Sequence, residues 1–389
     1  MKSIYLVSCV ARKACEPAAA RDLYKSAWFI KARSYVEKAS EKWFILSAEH
    51  GLVSPEAVIN PYEKTLNSMK KTERRAWADK VLHQLQPELS GFDRVVVLAG
   101  ARYREFLVDR IRGNGLIVDI PLRGMGIGEQ LQCLKDLDNM RRLDDLMKFY
   151  AILGNLQQRL GCKRIMQDCS SQQNWPQRGV YFFFEPGENR TRAGTGLRVV
   201  RVGTHALKEG SKATLWKRLS QHQGVQRTGG GNHRGSIFRL LVGQALISRD
   251  KLDKPTWGIG GDMRKAAEKL NLKREAVKEM EHPLEQTVSK MIGAMEILWL
   301  PVLDAPGPES LRGYIERNAI ALLSNYQNKA IDPPSRDWLG QSSNREKVQQ
   351  SGLWNSNHVD EKYDPDFLEE LQRLIKAAEP CESSINQRE

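Results

Sequence analysis

The residues best suited to chemistry lie in the second half of this 389-residue chain. Arg218 and His222 stand four apart in LWKRLSQH (residues 215–222), a helical stretch, so a fixed cation and a titratable imidazole share one face. Glu316 sits among apolar residues in YIERNAIALLSN (residues 314–325), a second helical segment. Tyr181 lies in the strand-like run GVYFFFE, and His205 closes the run LRVVRVGTH. Between them, the loop RTGGGNHR (residues 227–234) sets Arg227, His233 and Arg234 around successive glycines, a composition that suits a phosphate backbone and equally an ordinary surface loop. The first half offers Cys9, a candidate nucleophile, and the adjacent Glu49 and His50, a candidate acid–base pair; a buried thiol and a turn are the bland alternatives.

The elements that must position the second-half residues follow from periodicity. Residues 179–185 and 197–202 are β-rich runs around a polar, glycine-containing turn, the signal for a hairpin. Residues 236–247 read as a buried helix, 251–291 as a charged helical insertion, and 296–303 as a strand whose first residue, Glu296, faces solvent. An irregular segment follows, with Pro333 and Pro334 ending any helix. Trp338, Leu339, Leu353 and Trp354 are expected to pin it by packing; the functional alternative sends Trp354, Asn355 and His358 toward DNA. Residues 365–378 form a closing helix, and the last ten or so are expected to be disordered.

In the first half, apolar runs at 3–10, 43–48, 94–99 and 116–120 alternate with helical stretches at 21–38, 72–85, 103–112 and from 127 onward. Fully apolar strands alternating with helices predict an α/β domain in three layers, over residues 1–150, with a mostly parallel sheet. Ligand sites in such sheets lie beyond the carboxyl ends of the strands. Cys9 and Lys13 follow the first run, Glu49 and His50 the second, Arg102 the third and Arg123 the fourth, a convergent polar set. The glycines at 124, 126 and 128 lack the G-K-[ST] ending of a phosphate-binding loop and follow a late strand, which excludes that motif. The helical stretch 131–160 carries the chain toward the second half. Residues 151–177 serve as connector, 178–361 as an α+β domain with a helical insertion, and 362–389 as closing helix and tail.

Lys and Arg outnumber Asp and Glu by 60 to 47, a net charge of +13 that fits a polyanionic partner. Six cysteines without a C-x-x-C pair, no signal peptide and no membrane-length apolar run point to a reducing cytoplasm.

The tripeptides GVY (179–181) and RVG (201–203), followed by Arg218-x-x-x-His222 and the Glu316 helix, resemble the GIY-YIG endonucleases. The resemblance implies that Glu316 binds a single Mg²⁺ or Mn²⁺, that Arg218 neutralises the scissile phosphate, and that Tyr181 with His222 positions or deprotonates the water, His205 being a second candidate. Arg201 stands where the family has its second tyrosine, and the family's C-terminal asparagine falls at Asn325 or Asn328. Arg201, Arg227, His233, Arg234 and these asparagines would then contact the nucleic acid. In the first half, LVSC-x-x-x-K, ARDLY and LSAEHGLV resemble an uncharacterised family of bacterial domains, with a weaker likeness to glycosylase-like domains beside deazaguanine-modifying enzymes. The combined expectation is a DNA endonuclease whose first domain recognises or excises a modified base, as in phage defence. A nuclease acting on RNA and a non-catalytic binding or regulatory protein are the alternatives.

Overall fold

The computed structural model describes residues 2–39 and 42–378. The expected disordered tail therefore lies outside the described residues, as does Cys381. The chain divides into two compact units, residues 1–141 and 142–389. The helix Ile127–Leu160 runs through that division, and its second half (Leu146, Phe149, Leu153, Leu156) belongs to the core of the second unit.

The first unit is an α/β sheet of five strands in the order Gly51–Val53, Trp43–Ser47, Ser3–Ser8, Arg94–Leu98, Ile117–Asp119. All neighbours are parallel except the edge pair, where Gly51–Val53 turns back on Trp43–Ser47. The sequence reads residues 49–51 as a turn; the return strand is too short to show a period. The stretch 103–112 is likewise two short helices, Ala101–Arg104 and Val108–Gly113. The first strand is central. The chain leaves it toward one side to build Trp43–Ser47 and later crosses to the other to build Arg94–Leu98, so the strand order reverses at its carboxyl end.

The second unit carries a four-stranded sheet in the order Leu197–Gly203, Gly179–Asn189, Glu296–Pro301, Arg164–Ile165. Residues 164–165 thus belong to the sheet and not to a connector. Both faces of this sheet are covered, which is why apolar residues such as Val180, Phe182 and Phe183 point to both of its sides. Val180, Phe182 and Phe184 face the long helix, the helix Leu311–Leu323 and the closing helix Phe367–Ala377. Tyr181 and Phe183 face the helices Leu215–Gln223, Ile237–Asp250 and Arg274–Gly293. The expected insertion consists of this last helix and Met263–Leu270.

Candidate active site

The site forms at one end of the small sheet, where the central strand begins at Gly179 and the edge strand finishes at Gly203. Glycine is required at both ends of this motif by close approach: a Cβ on Gly179 would meet the Leu300 carbonyl oxygen, and one on Gly203 would meet the ring and hydroxyl of Tyr181. Gly203 pairs with Tyr181 in the ladder, so the bare backbone makes room for the phenol lying across it.

Tyr181 is buried and shares a 2.8 Å hydrogen bond with Nε2 of His222. The other ring nitrogen, Nδ1, lies 2.7 Å from Ser236 Oγ. Ser236 caps the helix Ile237–Asp250, its Oγ accepting from the Arg239 N–H, so the hydroxyl is fixed by the helix it starts. His222 has no exposed surface, and burial, reinforced by the charges of Arg218, Arg201 and Arg239, holds its pKa well below the usual histidine range. It is neutral and out of reach of bulk water. Within the site, His222 is linked to Tyr181 through this one hydrogen bond.

Arg201 reaches the same face by a backbone irregularity. The ladder slips between Val199 and Arg201, where Val199 pairs with Phe184 and Arg201 with Phe183, leaving Val200 as the extra residue of a bulge. The guanidinium lies over the Phe238 ring at 4.8 Å, donates to the Trp354 carbonyl, and adjoins Tyr181, Arg218 and Glu316. Burial is the largest influence on it and lowers its pKa. At 5% exposure Arg201 is an internal brace of the site and not a surface contact for nucleic acid.

Glu316 approaches from the opposite face. Its helix begins at a Ser310 cap, and Oε1 accepts the Thr204 N–H at 3.2 Å, one residue past the edge strand. Burial raises the Glu316 pKa, against the lowering influence of Arg201, His358, the Thr204 N–H and Arg218. Arg218, half-buried, is held by Gln221 Oε1 at 3.0 Å and the Gly235 carbonyl at 3.1 Å. Tyr181, Arg201, Arg218 and Glu316 thus share one neighbourhood. His358, in a left-handed backbone conformation, adds an imidazole that lowers the Glu316 pKa; the sequence offers it only as the alternative to packing in an irregular segment. The Thr204 N–H carries no side-chain signal at all.

His205 adjoins this neighbourhood, one residue past Thr204 and within reach of the Arg218 charge, whereas the loop, asparagine and tail candidates lie in other settings. His205 is buried, with Nε2 3.4 Å from the Gln177 carbonyl, Nδ1 unpartnered, and its pKa depressed to about 4 by burial and by Arg312, Arg218 and Arg178. Of the loop's three basic candidates, Arg227 is exposed and the other two are held inside. His233 is buried, stacks on Trp257 at 3.9 Å and binds Glu285, while Arg234 forms a two-pronged pair with Glu281 at 2.7 and 2.8 Å. Both are structural, because carboxylates from the helix Arg274–Gly293 reach them first. Asn325 closes a turn through the Ile331 N–H and the Asp332 carbonyl, and Asn328 binds the Tyr326 carbonyl. Trp354 is fully buried, and Asn355 exchanges two hydrogen bonds with the backbone of Val202, so this segment packs on the edge strand.

The residues at hand fit a hard cation of modest demand. Glu316 is a carboxylate whose burial disfavours its charge, and Mg²⁺ keeps most of its waters and needs only one or two protein carboxylates. Among the described residues no group of three His, Cys, Asp or Glu side chains is placed to hold a metal by itself.

In the first unit, a second polar cluster gathers where the strand order reverses. The Cys9 thiol is 3.1 Å from the Tyr103 hydroxyl, joining the residue after the central strand to the helix after Arg94–Leu98. Tyr62 Oη bonds Tyr24 Oη and Ser47 Oγ, each at 2.8 Å, and also bears on Cys9. Lys13 Nζ lies 4.3 Å from the centre of the Tyr62 ring, and the His50 ring meets that ring edge-on at 5.5 Å. Glu49 is exposed and paired with Lys64 at 3.3 Å; Arg102 and Arg123 are exposed. Tyr103 follows the third apolar run and belongs to the polar set the sequence offers there, whereas Tyr24 and Tyr62 escaped the sequence reading, since tyrosines that far apart show no local pattern.

Comparison with known proteins agrees with this division. Residues 4–136 match a family of unknown function, DUF6884. An uncharacterised protein of Bacillus subtilis (strain 168), YfjM, is 27% identical over 143 residues, covering 34% of this chain and 93% of the relative. No solved structure matches. Residues 140–381 match the GIY-YIG domain. Because that match runs through well over half of the chain and takes in the elements that meet at the end of the small sheet, the protein belongs to the GIY-YIG family, and its second unit is a nuclease domain.

Proposed function

We propose that the protein is a Mg²⁺-dependent DNA endonuclease whose first unit selects the substrate by a base, in the manner of restriction of modified phage DNA. The observation that carries the catalytic half is the meeting of Tyr181, Arg201, Arg218 and Glu316 at the end of the hairpin. Hydrolysis of a phosphodiester requires an oriented water, neutralisation of charge on phosphorus and stabilisation of the leaving oxygen. The Tyr181 hydroxyl orients the water, held in place by His222 behind it. The Arg218 guanidinium balances the phosphate. Arg201, where the family carries a tyrosine, fixes the phenol and offsets the Glu316 carboxylate. Glu316 would hold the metal, which when bound supplies positive charge at the leaving oxygen.

Selection by a base is supported by economy of information: contacts to the sugar–phosphate backbone carry neither sequence nor modification content, so a selective nuclease needs a separate reader. Purified protein incubated with plasmid, modified phage DNA and tRNA, with Mg²⁺ or EDTA and read on a gel, tests the proposal. Cleavage of modified DNA with Mg²⁺ alone is expected. Cleavage of tRNA only, or equal cleavage in EDTA, would overturn it.

A further inference from the structure

The polar cluster of the first unit differs from a catalytic constellation in one respect: its phenols hold their protons. Tyr24 is pushed up to about 12 by burial, and Tyr62 and Tyr103 are raised further by burial and by the neighbouring Cys9. At neutral pH all three phenols keep their protons, so they and the Ser47 hydroxyl are hydrogen-bonding groups with fixed partners. A general acid works best with a pKa near the operating pH, far from these phenols. Glu49, the nearby carboxylate in sequence, is exposed and paired with Lys64, so it does not join the cluster.

A second observation stands beside the first. Arg104 follows Tyr103 in the short helix after the fourth strand of the sheet. Its Nε is buried and unpartnered. The influences on its charge, burial and the Arg123 charge, both oppose it. Arg123 comes from the loop after Ile117–Asp119, so the two guanidiniums rise from neighbouring parallel strands at their carboxyl ends. Two like charges brought together, one with a buried donor left open, are arranged for an anion. The place is also where an open parallel sheet offers a crevice, since the Cys9–Tyr103 bond spans the reversal of strand order.

We propose that this end of the first unit is a non-catalytic nucleotide reader, in which Arg104 and Arg123 anchor a phosphate and the Cys9, Tyr62 and Tyr103 cluster hydrogen-bonds the attached nucleoside. The inference rests on the reading of the first unit as a base selector and narrows it to binding without glycosidic cleavage. Lys13, lying over the Tyr62 ring, closes the cluster on its half-buried side.

Calorimetric titration of the full chain with the four 2′-deoxynucleoside 5′-monophosphates, the matching nucleosides and inorganic phosphate tests it. A 5′-monophosphate should bind at least tenfold tighter than its nucleoside, because a charge-assisted bond contributes about 1.5–3 kcal/mol. Arg123→Gln, an exposed substitution, and Arg104→Gln should each remove most of that advantage. Cys9→Ala should flatten the preference among the four bases, and its thermal melt separates this effect from loss of fold. A duplex carrying one mismatched pair distinguishes a flipped nucleotide from a free one: competition between duplex and monophosphate assigns the site to DNA, whereas binding of the monophosphate alone assigns it to a free nucleotide, and either supports the reader. Nucleosides binding as well as monophosphates, unchanged affinity in Arg123→Gln and Arg104→Gln, or free base released from the duplex would overturn it. These measurements do not involve strand cleavage. Should the reader bind as described while cleavage ignores the base, the selective-nuclease proposal fails and this one stands.

Discussion

The two polar clusters of this protein are built from opposite materials. At the end of the small sheet, Arg201, Arg218 and Glu316 bring three formal charges around a phenol and a neutral imidazole. At the end of the larger sheet, the hydroxyls of Tyr24, Ser47, Tyr62 and Tyr103 and the Cys9 thiol form a hydrogen-bonded web, with Lys13 over the Tyr62 ring. Fixed charges in a partly buried site are expensive to keep and are useful where charge changes during a reaction. Neutral hydroxyls cost less and are useful where shape and hydrogen-bond pattern must be told apart. On the proposed reading, the contrast separates a place that changes a bond from a place that recognises a group.

That contrast is broken most severely at Glu316. Glu316→Ala should lower strand cleavage by about a thousandfold while leaving the thermal melt and DNA binding nearly unchanged. Retained cleavage in this variant would remove the carboxylate from the mechanism.

Gly203→Ala comes next. The added methyl would meet the Tyr181 hydroxyl and ring, so the phenol must move. A displacement of about 1 Å costs about a hundredfold in rate, and kcat should fall far more than DNA affinity. Unchanged kcat would show that the position of the phenol is unimportant.

A third test sharpens the cost of charge beneath the site. Arg239 is fully buried, binds Glu285, and donates to the His222 and Gln223 carbonyls at 3.0 and 3.2 Å. Arg239→Met leaves the Glu285 carboxylate short of its partner and should destabilise the second unit by about 3–5 kcal/mol, measured by urea unfolding. Replacing Arg239 and Glu285 together by apolar residues should recover much of that loss. Failure of the double variant to recover any stability would assign the loss to packing.

The fourth expectation concerns pH. His205 has a folded-state pKa of about 4, against about 6.5 for a free histidine. The unfolded chain therefore takes up this proton first. Stability from a neutral His205 is complete above about pH 6.5 and is lost as pH falls toward 4. His205→Gln should flatten the stability curve across that window, and an unaltered slope would refute the assignment.

The smallest effect belongs to the surface. Arg227 is exposed in the glycine-rich loop, and Arg227→Ala should weaken DNA binding by about twofold and reduce the salt slope by about one. Unchanged salt dependence would detach this loop from the substrate.

Several elements were legible in the sequence because their signals are local. The hairpin is set by two β-rich runs and the glycines that allow close approach at 179 and 203. The Arg218–His222 spacing needs only the period of a helix, and the parallel sheet of the first unit needs only apolar strands alternating with helices. Tertiary structure decided the rest. Strict alternation would set Arg201 opposite Val200; the bulge turns both toward the Tyr181 face, and a bulge depends on how two strands register. The loop RTGGGNHR reads as a phosphate grip until carboxylates about fifty residues later in the chain, Glu281 and Glu285, take His233 and Arg234 inside. Tyr24, Tyr62 and Tyr103 meet around Cys9 only because three strands bring their carboxyl ends together. Local periodicity fixes which way a side chain leaves its own element, whereas its charge and its partners are fixed by groups distant in the chain, and those are known only once the chain has folded.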